Sequence, residues 1–188
     1  TVADPQYFAN LTYLYLTVPD PLRTSFQPVP LYNNNIWDAP AFLRISALST
    51  TFWYMTELAR PERLWTFSSH SMPFQALVDA GFWQTDVVNE DTRILLQCFL
   101  RYDGAYRVTP IYLPVSMDTV NTSSYLKSHL ALYKQQRRWA LGGAEHIPYL
   151  AAHFLRDRHI PFLKKARWIW IVLEGIHSWA TAPLLILL

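Results

Sequence analysis

Residues 86–118, "DVVNEDTRILLQCFLRYDGAYRVTPIYLPVSMD", constrain the fold more than any other part of the chain. Val87 and Val88 predict a short strand, and Asn89-Glu90-Asp91 a polar loop. Thr92 to Tyr102 then predicts a helix, and Asp103-Gly104 a turn into a strand from Tyr106 to about Leu113. Strand, acidic loop, helix, turn and strand in that order is the repeating unit of an α/β layer. A chain built this way is not a plain bundle of helices.

The flanks fit an α/β reading. Residues 5–17 predict a helix opening near Asp4-Pro5, because proline suits the first helical turn. "TVPDPLRTSFQPVPLYNNN" is rich in Pro and Asn and predicts extended chain and loop. Pro40 to Leu58 predicts a long helix, Leu64–Phe67 a short strand, and Pro73–Ala80 a short helix closed by Gly81 in a left-handed conformation. A further helix covers about Thr122–Leu141 and is expected to end at Gly142-Gly143. Cys98 is the lone cysteine, which excludes an internal disulfide and a cysteine zinc site. Its apolar neighbours predict a buried, inert thiol.

The last segment, "WIWIVLEGIHSWATAPLLILL", is long enough for a bilayer span of about 20 residues. It carries Glu174 and His177, and a carboxylate at mid-membrane costs about 2.5–3.5 kcal/mol on insertion scales. "RDRHIPFLKKARW" precedes it, and a basic run beside an apolar span reads as cytoplasmic. The expectation is therefore an integral membrane protein with the chain ahead of this segment on the cytoplasmic face, a buried core helix being the alternative. Charged residues make up only 16 % of the chain, against about 25 % in an average soluble domain. A net charge of +2 gives no argument for nucleic acid as a partner.

Two short runs carry candidate chemistry. In "KQQRRWALGG", residues 134–143, Gln135, Arg138 and Trp139 stand at i, i+3 and i+4 and share one helical face. Arg138 offers planar donors to a phosphate or carboxylate, Gln135 an amide, and Trp139 a flat face on which a sugar ring can stack. Lys134 and Arg137 point elsewhere. In "VVNED", adjacent acids at a strand-to-helix junction serve either as helix capping or as a catalytic carboxylate. A hydrolase triad from Ser69, His70 and Asp91 lacks the G-x-S-x-G elbow.

"NED" followed about 45 residues later by Q-x-x-R-W resembles the membrane-bound branch of glycosyltransferase family 2, the cellulose, chitin and hyaluronan synthase relatives. Asn89 stands where that family has Thr of T-E-D; Gln135 to Trp139 match Q-x-x-R-W without departure. "FQPVPLYNNNIWDAP" is similar to the family's V-Q-T-P stretch. "TFSSHSMPFQALVDAGFWQTDVVNED" is similar to its segment before T-E-D, although Ser68-Ser69-His70 replaces a Cys-Gly-Ser type run and only Gly81 of two glycines is kept.

The resemblance implies an α/β fold: the C-terminal half of a GT-A-type core over residues 1–145, a basic interfacial linker or helix over 146–167, and the start of a transmembrane region over 168–188. It implies inverting transfer from a nucleotide-sugar donor, a UDP- or GDP-sugar, to a glycan or lipid acceptor. Asp91 is then the catalytic base with Glu90 beside it. Gln135, Arg138 and Trp139 bind substrate, with His70 next to the acceptor wall. The family's divalent cation, Mg or Mn, is held by a D-x-D motif. The only early acid here is Asp4, so the metal ligands and nucleotide-binding half are expected ahead of Thr1 and the chain is expected to be inactive alone. The alternative from another class is a non-catalytic membrane-associated module that binds carbohydrate or a protein partner on a degenerate form of the same fold.

Overall fold

The computed structural model describes residues 2–187. Strand β1 (Val2–Ala3) leads into helix α1 (Tyr7–Thr17), and strand β2 (Thr24–Leu31) into helix α2 (Ala41–Leu58). Two more helices, α3 (Phe74–Asp79) and α4 (Glu90–Arg101), precede strand β3 (Arg107–Ser116). Three helices follow it: α5 (Tyr125–Ala144), α6 (His146–Phe154) and α7 (Phe162–Leu187). The result is a mixed α/β fold in which helices dominate a small sheet of order β1-β3-β2. β2 and β3 run parallel, Thr24 facing Arg107 at one end and Leu31 facing Ser116 at the other, with a register shift between Pro28 and Val29. β1 is antiparallel to β3.

α4 is the hub. Every residue from Thr92 to Phe99 is buried, so this helix is enclosed on all sides although its sequence is amphipathic, with Thr92, Arg93 and Gln97 buried along its polar stripe. Ile94, Leu95, Leu96 and Phe99 share a core with Leu58, Leu64, Val108, Leu150, Ile160 and Trp168. Full burial of each large apolar side chain contributes roughly 1.5–3 kcal/mol, which anchors α4 in the core. Cys98 lies in this core, and burial pushes its thiol up to about 12. Gly81 has φ +79°, the left-handed conformation expected of it.

Three expected elements differ. Residues 64–67 form no strand: Pro28 and Pro30 of β2 lack N–H groups, so the ladder on that edge shrinks to the single bridge between Phe26 and Ser71. The buried side chain of Gln27 replaces it, accepting from Phe67 N at 2.9 Å and donating to Ser69 Oγ at 3.1 Å. Val87 and Val88 form bends, not a strand, on the approach to α4. α5 does not stop at Gly142-Gly143 but runs through both glycines to Ala144.

The expected membrane span is corrected. Among the described residues no helix is long and apolar enough to cross a membrane, so neither a transmembrane helix nor integral membrane placement is supported. α7 opens with Lys164, Lys165 and Arg167, and buries Trp168, Ile171 and Val172 in the core shared with α4. Its Glu174 accepts from Arg63 at 2.7 Å, and Arg63 also reaches the buried Glu57 at 3.2 Å. The basic residues of its first turn are also engaged: Lys164 donates to Gly104 O at 3.0 Å, and Lys165 pairs with Asp157 at 2.9 Å. Thr1 and Leu188, the outer limits of the expected domains, lie outside the described residues.

Candidate active site

The first turn of α4 carries the acidic pair. Glu90 is exposed, while Asp91 is half-buried and accepts from Thr92 N at 2.8 Å through Oδ1. The Asp91 carbonyl accepts from the Thr66 hydroxyl at 2.6 Å, which ties this turn to the loop that follows Leu64. Burial, with the neighbouring Glu90 charge adding to it, pushes the Asp91 carboxyl up to about 6; hydrogen bonds from backbone N–H groups oppose the rise. A carboxyl held there is an acceptor of protons close to neutral pH rather than a permanently spent anion.

Asp91 and Glu90 open onto a cavity of about 720 Å³, whose wall on α5 is made by Gln135, Gln136, Arg138 and Trp139. The predicted trio therefore shares this face, and Gln136 joins it. Lys134 and Arg137 are exposed and lie outside the wall. Arg138 is exposed and makes no hydrogen bond or ion pair with any described residue, leaving its guanidinium free for an anion in the cavity. α2 contributes Trp53 and Tyr54, and the stretch after β2 contributes Tyr32. Burial raises both phenols, and the Asp91 charge adds to that rise. An apolar cavity of about 360 Å³ adjoins, walled by α7 residues including Ile176 and Trp179, and shares Trp53, Trp139 and Trp179 with the larger one. Aromatic planes beside polar groups suit sugar rings.

His70 is not brought to this wall. It sits 2.6 Å through Nδ1 from Phe67 O, and burial lowers its pKa. The loop that Gln27 pins to β2 turns the ring onto its own backbone.

Several contacts that build the site are not visible in the sequence. Asn89 donates to Trp139 O at 3.1 Å, joining the acidic turn to α5. Gly142 is the counterpart of that contact: a Cβ there would lie 2.5 Å from Asn89 Cγ, so only glycine admits the approach. Tyr32, Tyr54 and Trp53 carried no motif, and only the predicted length of α2 pointed to a helix able to reach the site.

Among the described residues no three His, Cys, Asp or Glu side chains come together to hold a metal ion. The divalent cation implied by the family resemblance thus finds no such ligand set among the described residues.

No family model matches the chain, and no solved structure matches it. The chain is 30 % identical over 105 residues to the poly-beta-1,6-N-acetyl-D-glucosamine synthases of Staphylococcus aureus strains COL, N315 and MRSA252. The match takes in 52 % of this chain and 24 % of each synthase, so the chain spans about a quarter of the length of these curated relatives. The similarity supports a relationship to glycosyltransferases.

Proposed function

We propose that this chain carries the acceptor-side portion of a GT-A-type, inverting glycosyltransferase that uses a UDP- or GDP-sugar as donor and a glycan or lipid as acceptor. The reading is supported above all by one cavity lined by Glu90 and Asp91 on one element and Gln135, Arg138 and Trp139 on another. The partial similarity to a synthase of a polymeric amino sugar agrees with it and makes a growing glycan the favoured acceptor.

In this mechanism the acceptor hydroxyl oxygen bonds to the anomeric carbon as the bond from that carbon to the nucleotide diphosphate breaks. Asp91 takes the hydroxyl proton, which requires its ionised form. Arg138 offsets the negative charge gathering on the departing diphosphate. Trp139 supplies a stacking surface and Gln135 an amide to orient the acceptor, while Glu90 steadies the turn.

The test is sugar transfer by the natural full-length protein with Asp91→Asn. Loss of a proton acceptor lowers the rate by about 10²–10⁴-fold. The wild-type profile should fall on its acid side near pH 6, where Asp91 takes up a proton, rather than near pH 4. Unchanged transfer by Asp91→Asn refutes the role. A wild-type protein that binds glycan without transferring sugar replaces the enzyme reading with a binding module.

A further inference from the structure

Beyond Asn89, two more residues of the first turns of α4 grip the helices after the cavity wall. Thr92 Oγ1 lies 3.0 Å from His146 Nε2 and donates to Asn89 O at 3.0 Å. Arg93 donates through Nε to His146 Nδ1 at 3.3 Å and through Nη2 to Glu145 O at 3.1 Å. Its Nη1 donates to Gln84 Oε1 at 3.3 Å, and its guanidinium lies 4.0 Å from the centre of the Tyr149 ring. The Trp65 ring stacks on His146 at 5.7 Å with an interplanar angle of 16°.

The direction of these bonds is determined. A guanidinium only donates, so His146 Nδ1 accepts and the imidazole proton sits on Nε2. Nε2 then donates to Thr92, and the Thr92 hydrogen goes to Asn89 O. Every member is satisfied only while the imidazole is neutral. Burial and the adjacent Arg93 charge bring His146 down to about 4, which keeps it neutral near physiological pH. Arg93 and His146 are each 4 % exposed, and Arg93 forms no ion pair with a described carboxylate. Its direct hydrogen-bond partners are all neutral, with the Glu145 and Asp86 carboxylates acting on it without direct contact, and a buried cation held this way is costly unless every donor is used.

We propose that His146 is a positioning residue: with Arg93 and Thr92 it clamps the first turns of α4 to the junction of α5 and α6, holding Asp91 in fixed relation to Arg138 and Trp139. Asp91 lies between the clamped residues Asn89 and Thr92 in sequence, and Trp139 lies two turns before His146. Release of the clamp lets the α5–α6 junction shift against the first turn of α4, and a misplacement of about 1 Å costs about 10²-fold in rate. The catalytic consequence rests on the transfer reading above; the geometric one does not.

The experiment compares His146→Phe and His146→Gln in the natural full-length protein. Phe keeps the ring on Trp65 but removes both hydrogen bonds; Gln keeps one acceptor and one donor. The expected result for Phe is a kcat lower by about 10–100-fold with the donor KM changed less than about threefold. The Asp91 carboxyl, followed by carbon NMR, should titrate measurably away from about 6, with Gln recovering most of both effects. Thr92→Val, which removes the hydroxyl with its bonds to His146 and to Asn89 O, should move the same readouts if Phe does not fold. A lower melting temperature with unchanged kcat and unchanged Asp91 titration overturns the proposal and leaves His146 a packing residue. If the wild type transfers no sugar, the functional reading fails, and the Asp91 titration alone decides the clamp.

Discussion

Replacing Asp91 by Asn should make the protein more stable at neutral pH while it removes the proposed base. The ordinary carboxyl value of 3.8 rises to about 6 at this site, chiefly through burial. Each tenfold change in proton affinity is worth about 1.4 kcal/mol, so ionised Asp91 destabilises the native state by about 3 kcal/mol at most. Its carboxyl faces an open cavity, and solvent screening reduces this to about 2 kcal/mol. The sign follows from proton binding. Between about pH 4 and pH 6 the native state holds a proton on Asp91 that the unfolded chain has lost, so this contribution is present at low pH and lost as pH rises through about 6. Asn is neutral throughout and its Oδ1 can still accept from Thr92 N, so the local hydrogen bond survives. Denaturant titrations of both proteins at about pH 4 and about pH 8 measure the difference. The variant should gain about 2 kcal/mol at the higher pH and little at the lower. A difference independent of pH, or a variant less stable at about pH 8, refutes the claim that burial strains this carboxylate.

Two further outcomes follow from the same geometry. Arg138→Ala should lower kcat and kcat/KM for sugar transfer together by about 10²-fold or more, because a charge that develops on the leaving diphosphate is met only in the transition state; a rise in acceptor KM alone refutes that role. Gly142→Ala should destabilise the fold by roughly 1–3 kcal/mol, because its Cβ would meet Asn89 Cγ at 2.5 Å. Pairing it with Asn89→Ala in a double-mutant cycle should recover much of that loss in denaturant titrations; strict additivity refutes the steric account.

What the sequence made legible was local. The i, i+3, i+4 spacing of Gln135, Arg138 and Trp139 places them on one face of any helix, and the cavity wall has all three. The acidic turn before an apolar run marked the start of α4 to within two residues. The hidden part depends on contacts between residues far apart in the chain. Gly142 looked like a helix stop because glycine is a common one, yet its role is set by Asn89 across the interface. His146 carried no motif, and its burial follows only from the docking of α6 beside α4 and Trp65.

The apolar tail departs from the expected membrane span for the same reason. A window of hydrophobic residues reads alike whether lipid or protein covers it, and the distinguishing residue here is Glu174. Its partner Arg63 lies 111 positions away, so no reading of α7 alone could supply it. Once that pair is in place, the buried face of Trp168, Ile171 and Val172 is part of the protein core, and the same helix brings Trp179 to the aromatic cavity beside Trp139. A carboxylate that an apolar window treats as a defect thereby anchors the helix that completes the wall of the candidate site.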